Sequence, residues 1–422
     1  MEHRIGEVTL TVLGPDRQPL ADRVVTVAQQ RHAFAFGNIG FDFVDRVAGS
    51  ALDLDHLAER WLHLFNTATL PFYWGSYEPR RGEPDTERLM KTARWLADRG
   101  VTVKGHPLVW HTVQPDWLLG LGLDEVERLL RQRITDVVRG FAGLIDIWDA
   151  INEAVIMPVF ANGDNAITPL ARARGRIHMV RMAFEEARAA NPAVTLVLND
   201  FDLSSAYECL IEGVLEAGIR IDAIGLQTHM HQGFRGEAYL TDVLDRFARY
   251  GLPLHLTETT LVSGHLMPAD IVDLNDYQIP EWPTTSEGEA RQADEIVRHY
   301  RLLVGHPAVQ SINYWGIADD GAWLGAPAGL LRLDGSPKPA YDALAGLIKG
   351  EWWLAPTELP TDAAGNVAVR GFFGDYTVSA ADASAPFVLA PGETSTTVIL
   401  DSGTIARHGG PARRGRDDRP TG

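Results

Sequence analysis

Two strings in this 422-residue chain put a glutamate at the end of an apolar run, WDAINEA with Asn152 and Glu153 and PLHLTET with Glu258. The residues before each glutamate read as buried strand, so a carboxylate there is poorly explained as solubilising charge. Two of them, far apart in sequence, suggest a pair of catalytic carboxylates. The ends of neighbouring apolar runs add His106, Trp110 and His111, then Asn199 and Asp200, then Gln227 and His229, and finally Trp315 and Trp323. Carboxyl groups can protonate a leaving oxygen and attack, or activate water for, an oxocarbenium-like centre. Amides and imidazoles hydrogen-bond sugar hydroxyls, and indole faces bury the apolar face of a pyranose. The set has the chemistry of a carbohydrate site. A carboxylate gap of roughly 5–5.5 Å would retain anomeric configuration and one of roughly 6.5–9.5 Å would invert it.

Such a set must converge on one end of a scaffold. Eight short apolar runs read as buried parallel strands: AFAFGNI, FNTATLP, VTVKGHP, LIDIWDAIN, VTLVLND, DAIGLQT, LPLHLTE and QSINYWG. Eight segments of helical spacing alternate with them, from LDLDHLAERWLHLF to KPAYDALAGLIKG, and several end in Gly or Asn. This α/β pattern predicts a (β/α)8 TIM barrel over residues 33–349, whose active site lies at the C-terminal ends of the strands. An open doubly wound sheet fits less well, because no glycine-rich phosphate turn follows the first strand. Residues 1–32 read as a small N-terminal β element, a hairpin-like pair of VTLTVL and VVTVAQQ joined by the loop GPDRQPLAD. Residues 350–401 read as a C-terminal β module, and the apolar-poor tail 402–422 as disordered.

Composition narrows the partners. The chain has 38 basic and 56 acidic residues, a net charge of −18, which disfavours nucleic acid and anionic membranes. Cys209 is the single cysteine, so neither an internal disulfide nor a multi-cysteine metal site is expected. The N-terminal MEHRIGEVTLTV has no apolar run of secretory h-region length and no run of about 18 apolar residues occurs anywhere, so the chain reads as cytoplasmic, although a trimmed secreted form would look the same.

At this point a resemblance is specific. GHPLVWHTVQPDW is similar to the GHTLVWHSQTPxW segment of glycoside hydrolase family 10, the endo-β-1,4-xylanase family, and WDAINEA resembles its WDVVNEA motif. LVLNDFD, DAIGLQTHM, HLTETT, NYWGIADDGAW and GLLRLDGSPKPAY resemble further family segments, in family order across roughly residues 60–345. The resemblance implies a retaining β-glycoside hydrolase on xylan or xylo-oligosaccharides, with Glu153 as acid/base, Glu258 as nucleophile and no metal or organic cofactor. It implies sugar contacts by Asn152, His106 and Gln227, orientation of Glu258 by His229, and an apolar wall of Trp315 and Trp323. One departure falls on substrate binding: where the family carries PENEMKW, this chain has TLPFYWGSYEP. Trp74 still aligns and is expected, with Tyr73 in place of the family lysine, among the substrate-binding residues, while the family Glu and Asn have no equivalent. A second is the long segment 262–288 after Glu258, which could roof the cleft. Hydrolysis is therefore a firmer expectation than xylan; the alternatives are another soluble β-glycoside or a non-catalytic carbohydrate-binding barrel.

Several residues carry a plainer reading as well. His106, His111 and His229 could be satisfied core histidines, and Asn199 and Asp200 could cap the helix near Ser204. Tyr73 could stack on a sugar or close the pocket. Trp148 reads as packing, and Trp352 and Trp353 as anchors of the C-terminal module. His229 and His231 form an HxH pair, but with no HExxH helix a zinc site is not expected.

Overall fold

The computed structural model describes residues 1–48 and 54–401. The tail 402–422 lies outside the described residues. Two strands open the chain, β1 (Ile5–Leu13) and β2 (Val24–His32). Eight follow: β3 (Ala35–Ile39), β4 (Thr67–Pro71), β5 (Thr102–His106), β6 (Ile147–Asn152), β7 (Thr195–Asp200), β8 (Ala223–Met230), β9 (Leu254–Leu261) and β10 (Val309–Tyr314). Five end it: β11 (Thr357–Pro360), β12 (Asn366–Phe372), β13 (Gly374–Ala380), β14 (Ala383–Leu389) and β15 (Ser395–Ile399).

Strands β3 to β10 form a closed parallel barrel in sequence order, shut by pairing of Ser311 on β10 with Ala35 on β3. They coincide with the eight apolar runs of the sequence. Strands covered on both faces lose the polar alternation of an exposed sheet, which is why they were legible as continuous runs. The helices that cover them bury one stripe each; Leu123–Gly140 buries Val126, Leu130, Ile134, Val137 and Val138, spaced to face the barrel. Gly105 on β5 is required by its neighbour, because a Cβ there would lie 2.1 Å from the Trp148 indole. Trp148 is fully buried and donates Nε1–H to Ile145 O at 3.1 Å, the packing role its position suggested. Two helical details differ from expectation. The segment PLARARGRIHMVRMAFEEARAAN divides at Gly175 into Ile167–Arg174 and Arg176–Ala190, and Phe41–Ala48 forms a helix not among the eight.

The terminal β pieces, separate in the sequence reading, share one body, and β1 and β2 do not pair as the expected hairpin but enter different sheets, each taking its partners from the C-terminal strands. β1 lies between β12 (antiparallel) and β15 (parallel), while β2 lies between β11 and β13, with β14 outside. The two sheets enclose their own core of Val8, Leu10, Val12, Val25, Val27, Val369, Val378 and Leu389. Each terminal piece alone exposes a half-core, so neither stands as an independent element.

Arg4 ties this sandwich to the barrel. Its guanidinium donates to Val304 O (3.2 Å), His306 O (3.0 Å) and Val309 O, and lies over the Phe34 ring at 4.7 Å. Partial burial lowers its pKa to about 10. Arg4→Ala strands three carbonyls at this seam and is expected to cost about 1–3 kcal/mol, read as a lower urea midpoint.

Candidate active site

Glu153 follows β6 with a left-handed backbone (φ 57°), held by its N–H to Asn199 O at 2.8 Å. That conformation is costly for a residue with a side chain and persists only where surroundings fix it. The carboxyl is enclosed by donors. Trp110 Nε1–H reaches Oε2 at 2.8 Å, while Asn152 Nδ2 and Gln227 Nε2 reach Oε1 at 3.1 and 3.4 Å. Burial raises its pKa to about 8; the Trp110 bond opposes this, and the charges of Glu258 and Asp200 reinforce it.

Glu258 lies on β9, brought opposite Gln227 by a register shift between Leu226 and Gln227. Both its oxygens accept hydrogen bonds, Oε1 from Asn199 Nδ2 (3.1 Å) and Oε2 from His229 Nε2 (3.0 Å). Because Nε2 donates, Nδ1 of a neutral His229 is free to accept from Thr260 Oγ1 at 3.2 Å. Asn199 Nδ2 also donates to Asn152 Oδ1 at 2.7 Å. A chain of two amides, Asn199 and Asn152, thus joins one carboxyl group to the other.

His106 is oriented from beneath. Its Nδ1 meets Asp149 Oδ2 at 2.7 Å, the oxygen that also takes Lys104 Nζ at 2.8 Å, and its Nε2 lies 3.9 Å from Glu258. Burial pushes the Asp149 pKa up, but the Lys104 charge and the His106 contact outweigh it and hold the group below its ordinary value. The ionised Asp149 fixes the proton on His106 Nδ1. His111 lies 3.9 Å from Glu153 with neither ring nitrogen hydrogen-bonded, edge-on to Phe160 at 4.3 Å. Burial lowers its pKa to about 4, so it stays neutral.

Trp315 contacts the rings of His106 (5.3 Å) and His229 (6.1 Å), and Trp323 those of His229 (4.9 Å) and His231 (5.2 Å). Tyr73 sits between His106 (5.6 Å) and Trp110 (5.5 Å). Trp74 differs from the others. Its Nε1–H is held by Glu78 at 2.9 Å, with Trp117 edge-on at 5.7 Å and the Arg133 guanidinium over its ring. Those contacts belong to the fold, so Trp74→Ala is expected to cost about 3–5 kcal/mol in denaturant unfolding, with the KM of the folded enzyme little changed.

Asp200 does not cap the next helix; Ser204 does, accepting from Ala206 N. Asp200 instead accepts from the backbone N–H groups of Val155 and Asp202, both at 3.0 Å, and fixes the loop that follows Glu153. Burial raises its pKa to about 7. The segment 262–288 packs Met267 and Trp282 against Val262, Ala326 and Ala328. Gln232 Nε2 pins it through Pro268 O and Ile271 O, each at 2.8 Å, and Asn162 Nδ2 reaches Asp273 Oδ2 at 2.9 Å. That last bond ties the loop after β6 to the loop after β9. Sequence reasoning missed Lys104, Asp149, Thr260 and Phe41. A charged residue inside an all-buried strand, which must find a partner, was the available signal for Asp149 and Lys104.

Residues 65–347 match the family model described as Glycosyl hydrolase family 10. The chain belongs to that family. As a family 10 chain it is a glycoside hydrolase acting on O-glycosyl bonds, with a carbohydrate as substrate. It is 30% identical over 298 residues to a β-1,4-xylanase of Dictyoglomus thermophilum, covering 67% of this chain and 79% of that one. It is 27% identical over 291 residues to an endo-1,4-β-xylanase B of Thermotoga neapolitana, covering 65% and 78%. Among solved structures, xylanase 10B from Thermotoga petrophila RKU-1 in complex with xylobiose superposes with a TM-score of 0.62 at 22% identity, covering 76% of this chain and 95% of that one, a likeness of fold. The family 10 match begins after β3 and ends before β11, leaving the sandwich and the first barrel strand outside it.

Proposed function

We propose that this family 10 enzyme hydrolyses β-1,4-linked xylo-oligosaccharides or xylan by double displacement. Glu258 attacks the anomeric carbon as the glycosidic C–O bond breaks, and Glu153 passes its proton to the departing oxygen. The glycosyl ester on Glu258 is then attacked by a water whose proton returns to Glu153, releasing the sugar and the free Glu258 carboxylate. One observation carries the assignment: Glu153 is held so that it keeps a proton to give, opposite a second carboxyl group fixed at both oxygens. Glu153 is pushed up to about 8 by burial and so holds its proton at neutral pH, while Glu258 accepts hydrogen bonds on both oxygens from Asn199 and His229. His106, Gln227 and Asn152 offer polar atoms to sugar hydroxyls, and Trp315 and Trp323 offer apolar faces. The relatives named as xylanases support the substrate class.

Incubation with xylan, xylohexaose and aryl β-xylosides, with product anomers followed by NMR, tests substrate and stereochemistry together. Products released first as the β-anomer are expected. Release of the α-anomer would overturn double displacement, and inactivity on every β-xyloside and β-glucoside would overturn the hydrolase reading itself.

A further inference from the structure

A cavity of about 230 Å3 lies in the seam between the sandwich and the barrel, walled by Phe34, Phe36, Trp352, Phe372, Phe373 and Arg4. It is at the opposite end of the barrel from the glutamates. Phe34 stands just before β3 and the exposed Gln310, also on the wall, is near the start of β10, whereas Trp315 follows the end of that strand. Phe34 packs on Phe36 at 4.7 Å, and Phe36 stacks on Trp352 at 6.0 Å with 12° between the planes. The sandwich supplies the facing rings. Phe373 N–H donates to Arg4 O at 2.9 Å, and its carbonyl accepts from Ala33 N–H at 2.8 Å, which fixes that wall against the first barrel strand.

Arg4 gives this aromatic cavity its one unusual feature. Nε and Nη2 are spent on the carbonyls of Val304, His306 and Val309, and Nη1 has no hydrogen bond among the described residues. Every acceptor is neutral and no carboxylate pairs with the guanidinium, so burial lowers its pKa with no acidic neighbour to oppose the shift. Its charge is felt at His3, also on the wall, whose pKa is lowered first by burial and then by Arg4. Buried charges are ordinarily paired, and this chain has 56 acidic residues from which to supply a partner. We propose that the cavity binds a small aromatic carboxylate, with its ring among the phenyl and indole rings and its carboxylate on Arg4 Nη1. Five rings suit a flat apolar body. A free guanidinium N–H suits an anionic oxygen, the stronger class of acceptor. The volume suits a single ring, since drug-sized ligands fill about 300–1,000 Å3. Such an occupant touches both bodies and braces the sandwich on the barrel. The site is separate from the sugar cleft and does not rest on the hydrolase reading.

The test titrates benzoate into the full chain by calorimetry, with benzamide and acetate as comparison ligands and xylotriose as competitor. Benzoate is expected to bind at a single site and to raise the melting temperature, as a ligand of the native state must. Benzamide, which has the shape without the charge, and acetate, which has the charge without the ring, are each expected to bind at least tenfold more weakly. Arg4→Met, which keeps much of the bulk, is expected to weaken benzoate at least tenfold. Ala33→Trp fills the exposed part of the wall and leaves the Arg4 side chain and its three carbonyls in place, so it tests the site even if Arg4→Met fails to fold; it too is expected to weaken benzoate at least tenfold. Absence of benzoate binding at millimolar concentration would overturn the proposal, as would benzamide or acetate binding as tightly as benzoate. Displacement of benzoate by xylotriose would place it in the sugar cleft and overturn the proposal. Unchanged benzoate affinity in either folded variant would do the same.

Discussion

Replacing Glu258 with alanine is expected to lower turnover by on the order of 10^4-fold or more on every substrate, whatever its leaving group, because the bond that forms in the first step has lost its nucleophile. Excess azide separates this from mere damage. An azide ion in the space left by the carboxylate attacks the anomeric carbon from the face Glu258 used, expelling a dinitrophenolate and forming an α-glycosyl azide. Recovery of rate with that inverted product assigns the role. Recovery with a β-product, or full activity without azide, would remove Glu258 as nucleophile. The variant also leaves His229 Nε2–H and one of the two Asn199 Nδ2–H groups without an acceptor, the other staying on Asn152, at about 1–3 kcal/mol each. Glu258→Gln, which fills the same space, should melt closer to the wild type and remain inactive.

The two carboxylates were legible because each interrupts the most apolar stretches of the chain, and the barrel strands because burial on both faces erases polar alternation. The support beneath the carboxylates was harder to read, for a physical reason. Asp149 and Asn152 lie three apart on β6, so strict alternation would put them on opposite faces. A register irregularity between Asp149 and Ile151 lets both serve the site, one through His106 and the other through Asn199. A similar shift on β8 and β9 sets Gln227 opposite Glu258. Bulges of this kind leave no mark in periodicity, since any residue can take them. The terminal sandwich was half legible for another reason. Alternation in VTLTVL signals a strand, but its partner runs from Asn366 to Phe372, and nothing local joins Ile5 to Phe372. Phe41 escaped notice because its short helix follows β3 directly, in a stretch that read only as the tail of a strand.

Glu153 should reveal itself through both leaving-group and pH dependence. An acid must carry its proton to act. Its pKa is raised from the ordinary 4.5 to about 8, so the protonated fraction stays high through neutrality and is lost as pH rises past about 8. The wild-type kcat/KM for xylo-oligosaccharides is therefore expected to hold across neutral pH and fall on the alkaline side near 8. Trp110 Nε1–H bonds the carboxyl and opposes the upward shift, so Trp110→Phe should move the alkaline limb to higher pH. A limb that moves down, or stays put in the folded variant, would contradict the assignment. Glu153→Ala should lose the limb entirely and slow cleavage of poor leaving groups by about 10^2–10^4-fold. Formation of the glycosyl ester from a dinitrophenyl glycoside, whose leaving group needs no proton, should be little affected. The ester then accumulates because its hydrolysis has lost the base, and azide, attacking from the Glu153 side, should release a β-glycosyl azide. The opposite anomers from the two alanine variants follow from the proposed double displacement, which sets Glu153 and Glu258 on opposite faces of the sugar.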